Sequence, residues 1–281
     1  MNEKKSHWNP ARRIQWLGFI VDSDDMKFYV SEEKLTVFIS VIDWLLMPGC
    51  RLTARELAKF VGRAVSMERA LGCNARLMSR SAARLCAAAR HWDDHVQLDV
   101  LATREMRFLR ERARYLNGHA ISRTAPESAL QCFSDASNSG YGAYIIAPLI
   151  LSAQGQWSPD ESRRSSTWRE LAAVQRALVA LQSQLAGQVL QWHCDNAAAV
   201  HILDYGSSKP PLQLLAVHIV EICLRNRIRL FPVWIPRDEN SVADELSRCT
   251  LEVDCDDWQL QPLVSIFGFP LGTAYGGSFC R

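Results

Sequence analysis

The order of hydrophobic and polar positions predicts a helical first half and a mixed second half of the chain. Apolar residues recur at a helical period over 31–47. A second helix start is marked by Thr53 and Glu56, which have the spacing of a capping box. Arginine-rich helical patterns follow at about 73–90 and 99–116. We therefore expect a basic helical region here, with no recognisable catalytic motif.

Strand patterns lie on both sides of this helical region. Residues 14–30 are typical of two strands joined by an Asp/Ser turn. After residue 125 the pattern predicts the order β-β-β-α-β-α-α-β-α, which is typical of a mixed α/β fold. The predicted elements are strands at 131–133, 141–147 and 151–157, a helix at 167–185, a strand at 189–193, helices at 197–204 and 211–225, a strand at 229–234 and a helix from about 240.

Composition changes this picture little. The chain has 281 residues, 48% hydrophobic and 22% charged, which is enough for two modest globular domains and argues against disorder. The apolar stretches 38–47 and 143–151 are too short to span a bilayer, and the first residues do not form a signal peptide. The nine cysteines are scattered singly, without zinc spacing, as in an intracellular protein with reduced thiols. We expect a soluble intracellular protein, in either the nucleus or the cytoplasm.

Charge is distributed unevenly along the chain. Residues 1–125 hold 21 Lys/Arg against 14 Asp/Glu, whereas residues 126–281 hold 11 against 16. A basic half beside an acidic half suits a nuclease, in which one part binds phosphates and the other binds metal. Chance asymmetry on solvated surfaces explains the same counts equally well.

Four acidic residues occupy positions that favour a shared site. Asp135 and Asp195 end predicted strands, Glu170 lies in the first turn of a helix, and Asp244 lies in the last helix. Strand ends and helix starts of an α/β sheet converge along one edge. Carboxylates gathered there repel one another, and divalent cations such as Mg²⁺ or Mn²⁺ relieve that repulsion. Two such ions would support phosphodiester cleavage.

Each acid also has a purely structural interpretation, and spacing alone leaves the choice open. Glu170 and Asp244 have the spacing of capping-box partners, with Thr167 and Ser241 respectively. Asp195 is placed as a helix N-cap, and Asp135 as the start of an Asx-turn.

Residues 131–248 resemble the RNase H domain of retroelement reverse transcriptases, most of all those of DIRS-type retrotransposons. The similar stretches are CFSDASNSGYGAY, STWRELAAV, WHCDNAAAVHIL and WIPRDENSVADELSR. The resemblance implies an α/β RNase H-like fold, with a five-stranded mixed sheet and flanking helices behind a small, mostly helical subdomain. It also implies metal-binding and catalytic roles for Asp135, Glu170, Asp195 and Asp244. The reaction implied is endonucleolytic hydrolysis of the RNA strand of an RNA–DNA hybrid with two Mg²⁺ ions, for which Mn²⁺ can substitute.

The sequence departs from cellular RNases H, which usually carry a His in a mobile loop before the last Asp. The stretch 235–242 has none, which implies slower product release rather than inactivity.

The resemblance extends forward and implies four segments. Residues 1–30 resemble the palm and primer-grip strands of a reverse transcriptase, and 31–125 resemble its thumb and connection helices. Residues 126–249 form the RNase H-like domain. Residues 250–281 form a tail that leaves the family pattern near residue 265. Our hypothesis is that the coding sequence contains a frameshift there. Because the polymerase Y-x-D-D motif is absent, we expect no polymerase activity and a missing polymerase portion of a parent element.

Substrate contacts are expected mainly with phosphates and 2′-hydroxyls, because an RNase H recognises the shape of the hybrid. Ser137, Asn138 and Asn196 lie beside the acids and are the candidate substrate-binding residues, although turns favour Ser and Asn in any case. The alternative function is a catalytically inactive nucleic-acid-binding remnant. An integrase or transposase fits less well, because Glu is usually the last acid in those enzymes and Glu170 is second here.

Overall fold

The computed structural model describes residues 9–122, 124–146 and 150–248. The predicted tail at 250–281 lies outside the described residues, as does the predicted end of the second strand at Ala147. The strands are β1 (Arg13–Trp16), β2 (Phe19–Asp22), β3 (Lys27–Tyr29), β4 (Leu52–Thr53), β5 (His95–Val96), β6 (His119–Ala120), β7 (Leu130–Ala136), β8 (Gly140–Ile146), β9 (Leu151–Gln156), β10 (Val189–Cys194) and β11 (Arg229–Trp234).

The helices lie between these strands along the chain, singly or in runs of two to four, and one follows the last strand. They are α1 (Glu32–Leu45), α2 (Ala54–Ser66), α3 (Glu68–Leu71), α4 (Asn74–Leu77), α5 (Arg80–Ala88), α6 (Val100–Leu116), α7 (Pro159–Ser162), α8 (Ser166–Ala180), α9 (Gln182–Leu185), α10 (Ala197–Tyr205), α11 (Pro210–Arg225) and α12 (Ser241–Arg248), with a 3₁₀ turn at Arg237–Asn240.

A five-stranded mixed sheet dominates the second half, in the strand order β11-β10-β7-β8-β9. β7, β8 and β9 are antiparallel neighbours, whereas β10 runs parallel to both β7 and β11. Helix α8 packs on the sheet and against α11, and α12 packs on β7 and β8. The predicted mixed α/β class with a five-stranded sheet is confirmed.

The helical first half contains more strand than expected. The segment predicted as two strands forms three, because Leu17 and Gly18 make a tight turn with positive φ angles of 47° and 83°. β6 adds to this small sheet beside β3, and β4 and β5 form a two-stranded ribbon. The helical pattern over 73–90 is divided between α4 and α5.

The predicted capping box opens α2. The Thr53 side chain accepts the Glu56 amide, and the Glu56 carboxylate accepts the Thr53 amide at 2.8 Å. The buried apolar face of α2 includes Phe60, whose ring stacks on Phe38 of α1 with 5.8 Å between centroids.

Both halves contribute to one hydrophobic core. Phe38 and Phe60 of the helical region and Trp192 of the sheet belong to the same buried cluster. The division into segments at residues 30, 125 and 249 stays a prediction. No helix in the described ranges is both long and apolar enough to cross a lipid bilayer.

Candidate active site

The parallel pairing of β7 and β10 brings two of the predicted acids to the same edge of the sheet. His193 pairs with Phe133, and continuing this register by two residues sets Asp195 beside Asp135. Asp135 lies within β7 opposite Gly142 and is 6% exposed. Its Oδ2 accepts a 2.8 Å hydrogen bond from the Ser247 hydroxyl of α12. Burial raises the pKa of Asp135, and the neighbouring Asp195 and Asp244 raise it further.

Glu170 reaches this edge from α8. It is the fifth residue of the helix, one position later than the predicted start at residue 167 implied, and it is 5% exposed. Burial, followed by the charges of Asp135 and Asp195, raises the pKa of Glu170 to about 9. Two groups oppose this effect: the Ala136 amide and the Cys194 thiol, which donates to Oε2 at 3.7 Å.

Asp195 follows the last residue of β10 and is half-buried. Its carbonyl accepts a 3.0 Å hydrogen bond from the indole N–H of Trp234, at the end of β11. Burial raises the pKa of Asp195; Arg237 lowers it and Asp244 raises it. The end of β10 is therefore held in place by the neighbouring strand.

Asp244 comes from α12, whose start is anchored to the sheet. The side-chain amide of Asn240 donates to the backbone carbonyl of Ser134 at 3.0 Å. Arg237 and Arg248 both donate to Oδ1 of Asp244, at 3.3 and 2.7 Å. These exposed guanidinium groups partly neutralise the acid cluster.

The structural roles of Glu170 and Asp195 as helix caps are taken by other residues. The N-cap of α8 is Ser165, whose hydroxyl accepts the Trp168 amide. The N-cap of α10 is Asn196, whose side chain accepts the Ala199 amide at 3.0 Å. The interpretation of these two acids as capping residues is therefore wrong.

The structural alternatives for the other two acids are wrong as well. Asp135 lies inside a strand and does not begin a turn. Ser241 is the first residue of α12. The side chain of Asp244 accepts hydrogen bonds from Arg237 and Arg248 and not from the backbone amide of Ser241, as a capping box would require.

Three side chains of the cluster lie close enough together to hold a metal ion. One ligand atom each from Glu170, Cys194 and Asp195 lie within 4.8 Å of one another. Carboxylates that are buried and raise one another's pKa gain most from a bound cation. Sequence reasoning did not identify Cys194 as part of the site, because its spacing to other cysteines carried no signal. The one signal in the sequence was its position directly before Asp195.

The three candidate substrate residues have partners within the protein. The Ser137 hydroxyl contacts the Ser247 carbonyl at 2.6 Å and accepts the Gly140 amide at 3.0 Å, so it stabilises the β7–β8 turn. The Asn138 carbonyl oxygen accepts from Arg169 at 2.7 Å. Asn196 caps α10, as described above. Their roles toward a substrate remain predictions.

Three neighbouring side chains are explained by packing. Arg169 is buried and donates to two backbone carbonyls, so its guanidinium group is used within the fold. Trp192 is fully buried and donates to the Ser134 hydroxyl at 2.9 Å. The His193 ring stacks on Phe133 with 4.5 Å between centroids.

No protein-family model matches the sequence, and no curated protein matches it either. Solved structures do match. RNase H1 from the halophilic archaeon Halobacterium salinarum NRC-1 is 19% identical, with a TM-score of 0.36, over 42% of this chain and 93% of that chain. LC11-RNase H1, isolated from compost by a metagenomic approach, is 24% identical, with a TM-score of 0.35, over 42% and 92%.

A foamy viral protease-reverse transcriptase in complex with an RNA/DNA hybrid matches a longer stretch. It is 14% identical, with a TM-score of 0.32, over 90% of this chain and 32% of that chain. The order of three antiparallel strands followed by two parallel ones gives the five-stranded mixed sheet that the resemblance implied.

Proposed function

We propose that this chain is a metal-dependent ribonuclease H of retroelement origin, from a DIRS-type element, which hydrolyses the RNA strand of RNA–DNA hybrids. One observation carries the proposal: four carboxylates from β7, α8, the end of β10 and α12 influence one another at one sheet edge, and none of them serves as a helix cap. The proposal does not include polymerisation, because the Y-x-D-D motif is absent from the sequence.

Asp135, Glu170, Asp195 and Asp244 are the residues that would hold two Mg²⁺ ions, with Mn²⁺ as a substitute. When bound, such ions supply an activated water and stabilise the leaving oxygen in phosphodiester cleavage. Oxygen ligands suit these hard cations, whereas the neighbouring Cys194 thiol is a soft ligand and acts here as a hydrogen-bond donor to Glu170.

The protein's own groups prepare the site. In the metal-free protein Glu170, whose pKa is about 9, carries a proton at neutral pH, and it would release that proton on binding a cation. Ser247 orients the Asp135 carboxylate, and Trp234 fixes the backbone at Asp195. Such contacts hold the carboxylates in place before a substrate arrives, which lowers the cost of reorganisation during catalysis.

The proposed substrate is a duplex recognised by shape. Asn138 and Asn196 border the acid cluster and can offer amide donors to phosphates or 2′-hydroxyls. The exposed Arg163 and Arg164 precede α8 and add positive charge near the same edge. We expect hybrid binding to weaken steeply as salt concentration rises.

The test is cleavage of a labelled RNA–DNA hybrid in Mg²⁺ or Mn²⁺ by the wild type, Asp195→Asn and a control, Asp160→Asn. Asp160 is an exposed acid on α7. We expect the wild type and the control to cut only the RNA strand, with no cutting by Asp195→Asn. A folded wild type that binds the hybrid without cutting it in either metal would overturn the proposal in favour of the inactive remnant.

A further inference from the structure

A wide groove lies between α6 and α11, away from the acid cluster. Its volume is about 1100 Å³. One wall is the face of α6 that carries Arg107 and Arg112. The other wall is the end of α11, with Arg225, and the turn after it, with Arg227. The helical region therefore contributes one wall of the groove, and the half of the chain that carries the five-stranded sheet contributes the other.

The groove carries excess positive charge. Arg104 is neutralised by Glu221, with 2.8 Å between Nε and Oε1. Asp99 pairs with Arg84.

Four further guanidinium groups, those of Arg107, Arg112, Arg225 and Arg227, face a single remaining acid, Glu111. Within the described part of the chain, none of these four arginines forms an ion pair. A groove with four unpaired guanidinium groups and one carboxylate attracts an anionic ligand.

Arg227 occupies a backbone position that normally favours glycine. It follows the C-cap of α11 with φ 56°. The Ile228 amide donates to the Cys223 carbonyl at 2.7 Å, and the Arg227 amide donates to Leu224 at 3.2 Å. These bonds form a Schellman motif, whose left-handed residue is usually Gly. The fold thus keeps a long cationic side chain where a glycine would suit the backbone better.

An exposed aromatic ring distinguishes the groove from a simple phosphate site. Tyr115 is 65% exposed at one end of the groove, one helical turn from Arg112. Arginines combined with an accessible aromatic ring bind single-stranded nucleic acid, because phosphates contact the cations while a base stacks on the ring. An acidic peptide would use the cations but would gain less from the ring.

The groove lies at the opposite end of the sheet from the acids. β10 and β11 are parallel and pair from Val189–Arg229 to Cys194–Trp234. Arg227 lies before the start of β11, whereas Asp195 follows the end of β10. In this register Arg227 is level with position 187, eight residues before Asp195, so at about 3.3 Å per residue the two are separated by roughly 26 Å along the strands. A stacked nucleic-acid strand rises about 3.4 Å per nucleotide, so about eight nucleotides cover that distance.

We propose that the groove between α6 and α11 binds a single-stranded nucleic-acid segment, through Arg107, Arg112, Arg225 and Arg227 and by stacking on Tyr115. This proposal rests on the proposed function for its biological context, since the segment would be the unpaired flank of a hybrid held at the acid cluster. The binding itself requires neither metal nor cleavage.

The first test measures fluorescence anisotropy of a labelled twelve-nucleotide oligo-dT with the full chain in EDTA. The double variant Arg225→Ala/Arg227→Gly removes two cations and relaxes the left-handed backbone, so we expect it to unfold at or above the wild-type temperature. Its affinity should fall about tenfold or more, and the slope of log K against log salt should become shallower by about 1.4, which corresponds to two phosphate contacts.

The matched control is Arg51→Ala/Arg63→Ala, which removes the same charge from exposed positions that do not line the groove. Tyr115→Leu should weaken binding roughly 5- to 100-fold, while Tyr115→Phe keeps the stacking surface and should bind like the wild type. Equal affinities of the groove variant and the control would overturn the proposal. Binding of a labelled twelve-residue poly-Glu peptide, without binding of oligo-dT, would overturn it in favour of an acidic protein partner.

A second test separates the groove from the nuclease. Twelve-base-pair hybrids that are blunt, or that carry three or eight unpaired nucleotides on either strand, are compared for affinity and cleavage. We expect only an eight-nucleotide flank to raise affinity, and the groove variant to lose that gain while cutting the blunt hybrid normally. No gain from any flank contradicts the groove proposal even if cleavage occurs. Absence of all cleavage, with arginine-dependent binding of oligo-dT, refutes the nuclease and leaves the groove intact.

Discussion

The Ser247 hydroxyl lies 2.8 Å from Oδ2 of Asp135 and ties the last described helix to the first strand of the five-stranded sheet. The same hydroxyl lies 2.8 Å from the Asp244 carbonyl. A hydroxyl has one proton, and an ionised carboxylate is a stronger acceptor than a carbonyl. Ser247 therefore donates its proton to Asp135 and stabilises the ionised form of that carboxylate.

Replacing Ser247 with Ala tests this coupling. The change removes a hydrogen bond that lowers the pKa of Asp135, so that pKa should rise. We expect the acid limb of the cleavage–pH profile to move to higher pH and the free energy of unfolding to fall by about 1 kcal/mol. The control Ser183→Ala changes an exposed hydroxyl on α9. An unchanged acid limb in Ser247→Ala would show that this hydrogen bond does not tune the site.

Close packing at Gly142 makes the Ser247 contact possible. A Cβ at Gly142 would lie 2.4 Å from Leu246 Cβ and 2.6 Å from the Ser247 amide nitrogen. Gly142→Ala should therefore push α12 off the sheet and lower the free energy of unfolding by about 1–3 kcal/mol. Thermal unfolding and cleavage assays measure the two effects. We expect cleavage to be lost even at temperatures where the variant is folded.

Gly62→Ala is the matched control, because it lies on α2 with no atom within 4 Å of an added Cβ. Helix propensity predicts that this change is neutral or stabilises by up to about 1 kcal/mol. If Gly142→Ala behaves like Gly62→Ala, then α12 does not depend on that close approach.

Sequence reasoning succeeded where the signal is local. The Thr53–Glu56 capping box joins residues three apart and predicted the start of α2 correctly. The alternation and length of apolar runs predicted the five strands of the main sheet, because each strand is read within its own few residues. The placement of Asp195 directly after a strand and of Asp244 in the last helix could be predicted for the same reason.

Features that depend on distant contacts could not be predicted. Ser247 and Asp135 are 112 positions apart, and nothing in either segment indicates that they meet. The turn at Leu17-Gly18 was missed because Leu17 adopts a positive φ, which residues other than glycine rarely do. β6 was missed because two residues are too short for a periodic pattern.

The acid cluster should reduce the stability of the metal-free protein. Burial and mutual repulsion raise the folded-state pKa values of Asp135, Glu170 and Asp195. Their contribution to stability is therefore present at low pH and is lost as pH rises, through about 9 for Glu170. Asp195→Asn removes one of the charges, so we expect its unfolding temperature in EDTA at pH 8 to exceed that of the wild type by about 2–4 °C.

Added Mg²⁺ should reverse this order. It should raise the unfolding temperature of the wild type more than that of Asp195→Asn, because the variant lacks one anionic ligand. Differential scanning calorimetry at several Mg²⁺ concentrations measures both effects. A variant less stable than the wild type in EDTA would mean that Asp195 contributes more through its contacts than it costs through repulsion.

A buried acid outside the candidate site lies where α6 of the helical region meets α11. Glu105 of α6 is 1% exposed. Its carboxylate accepts from the Ser81 amide at 2.9 Å, the Ser81 hydroxyl at 2.7 Å and the Gln213 side chain of α11 at 2.7 Å. Burial outweighs these three donors and raises the pKa of Glu105 to about 7.

Stability of the whole chain should therefore depend on pH through Glu105. A carboxyl whose pKa is raised in the folded state stabilises the fold below its unfolded value, and that contribution is lost as pH rises through about 7. Between pH 5 and 9 the loss amounts to roughly 2–3 kcal/mol. We expect Glu105→Gln to be less stable than the wild type at pH 5, because its amide presents one acceptor oxygen to three donors. Since Gln cannot ionise, the variant does not lose stability through this position as pH rises. Urea titrations should therefore show its free energy of unfolding gaining roughly 2–3 kcal/mol relative to the wild type between pH 5 and 9. Glu111→Gln, an exposed change on the same helix, should follow the wild type at every pH. A constant difference between Glu105→Gln and the wild type from pH 5 to 9 would contradict a titrating Glu105.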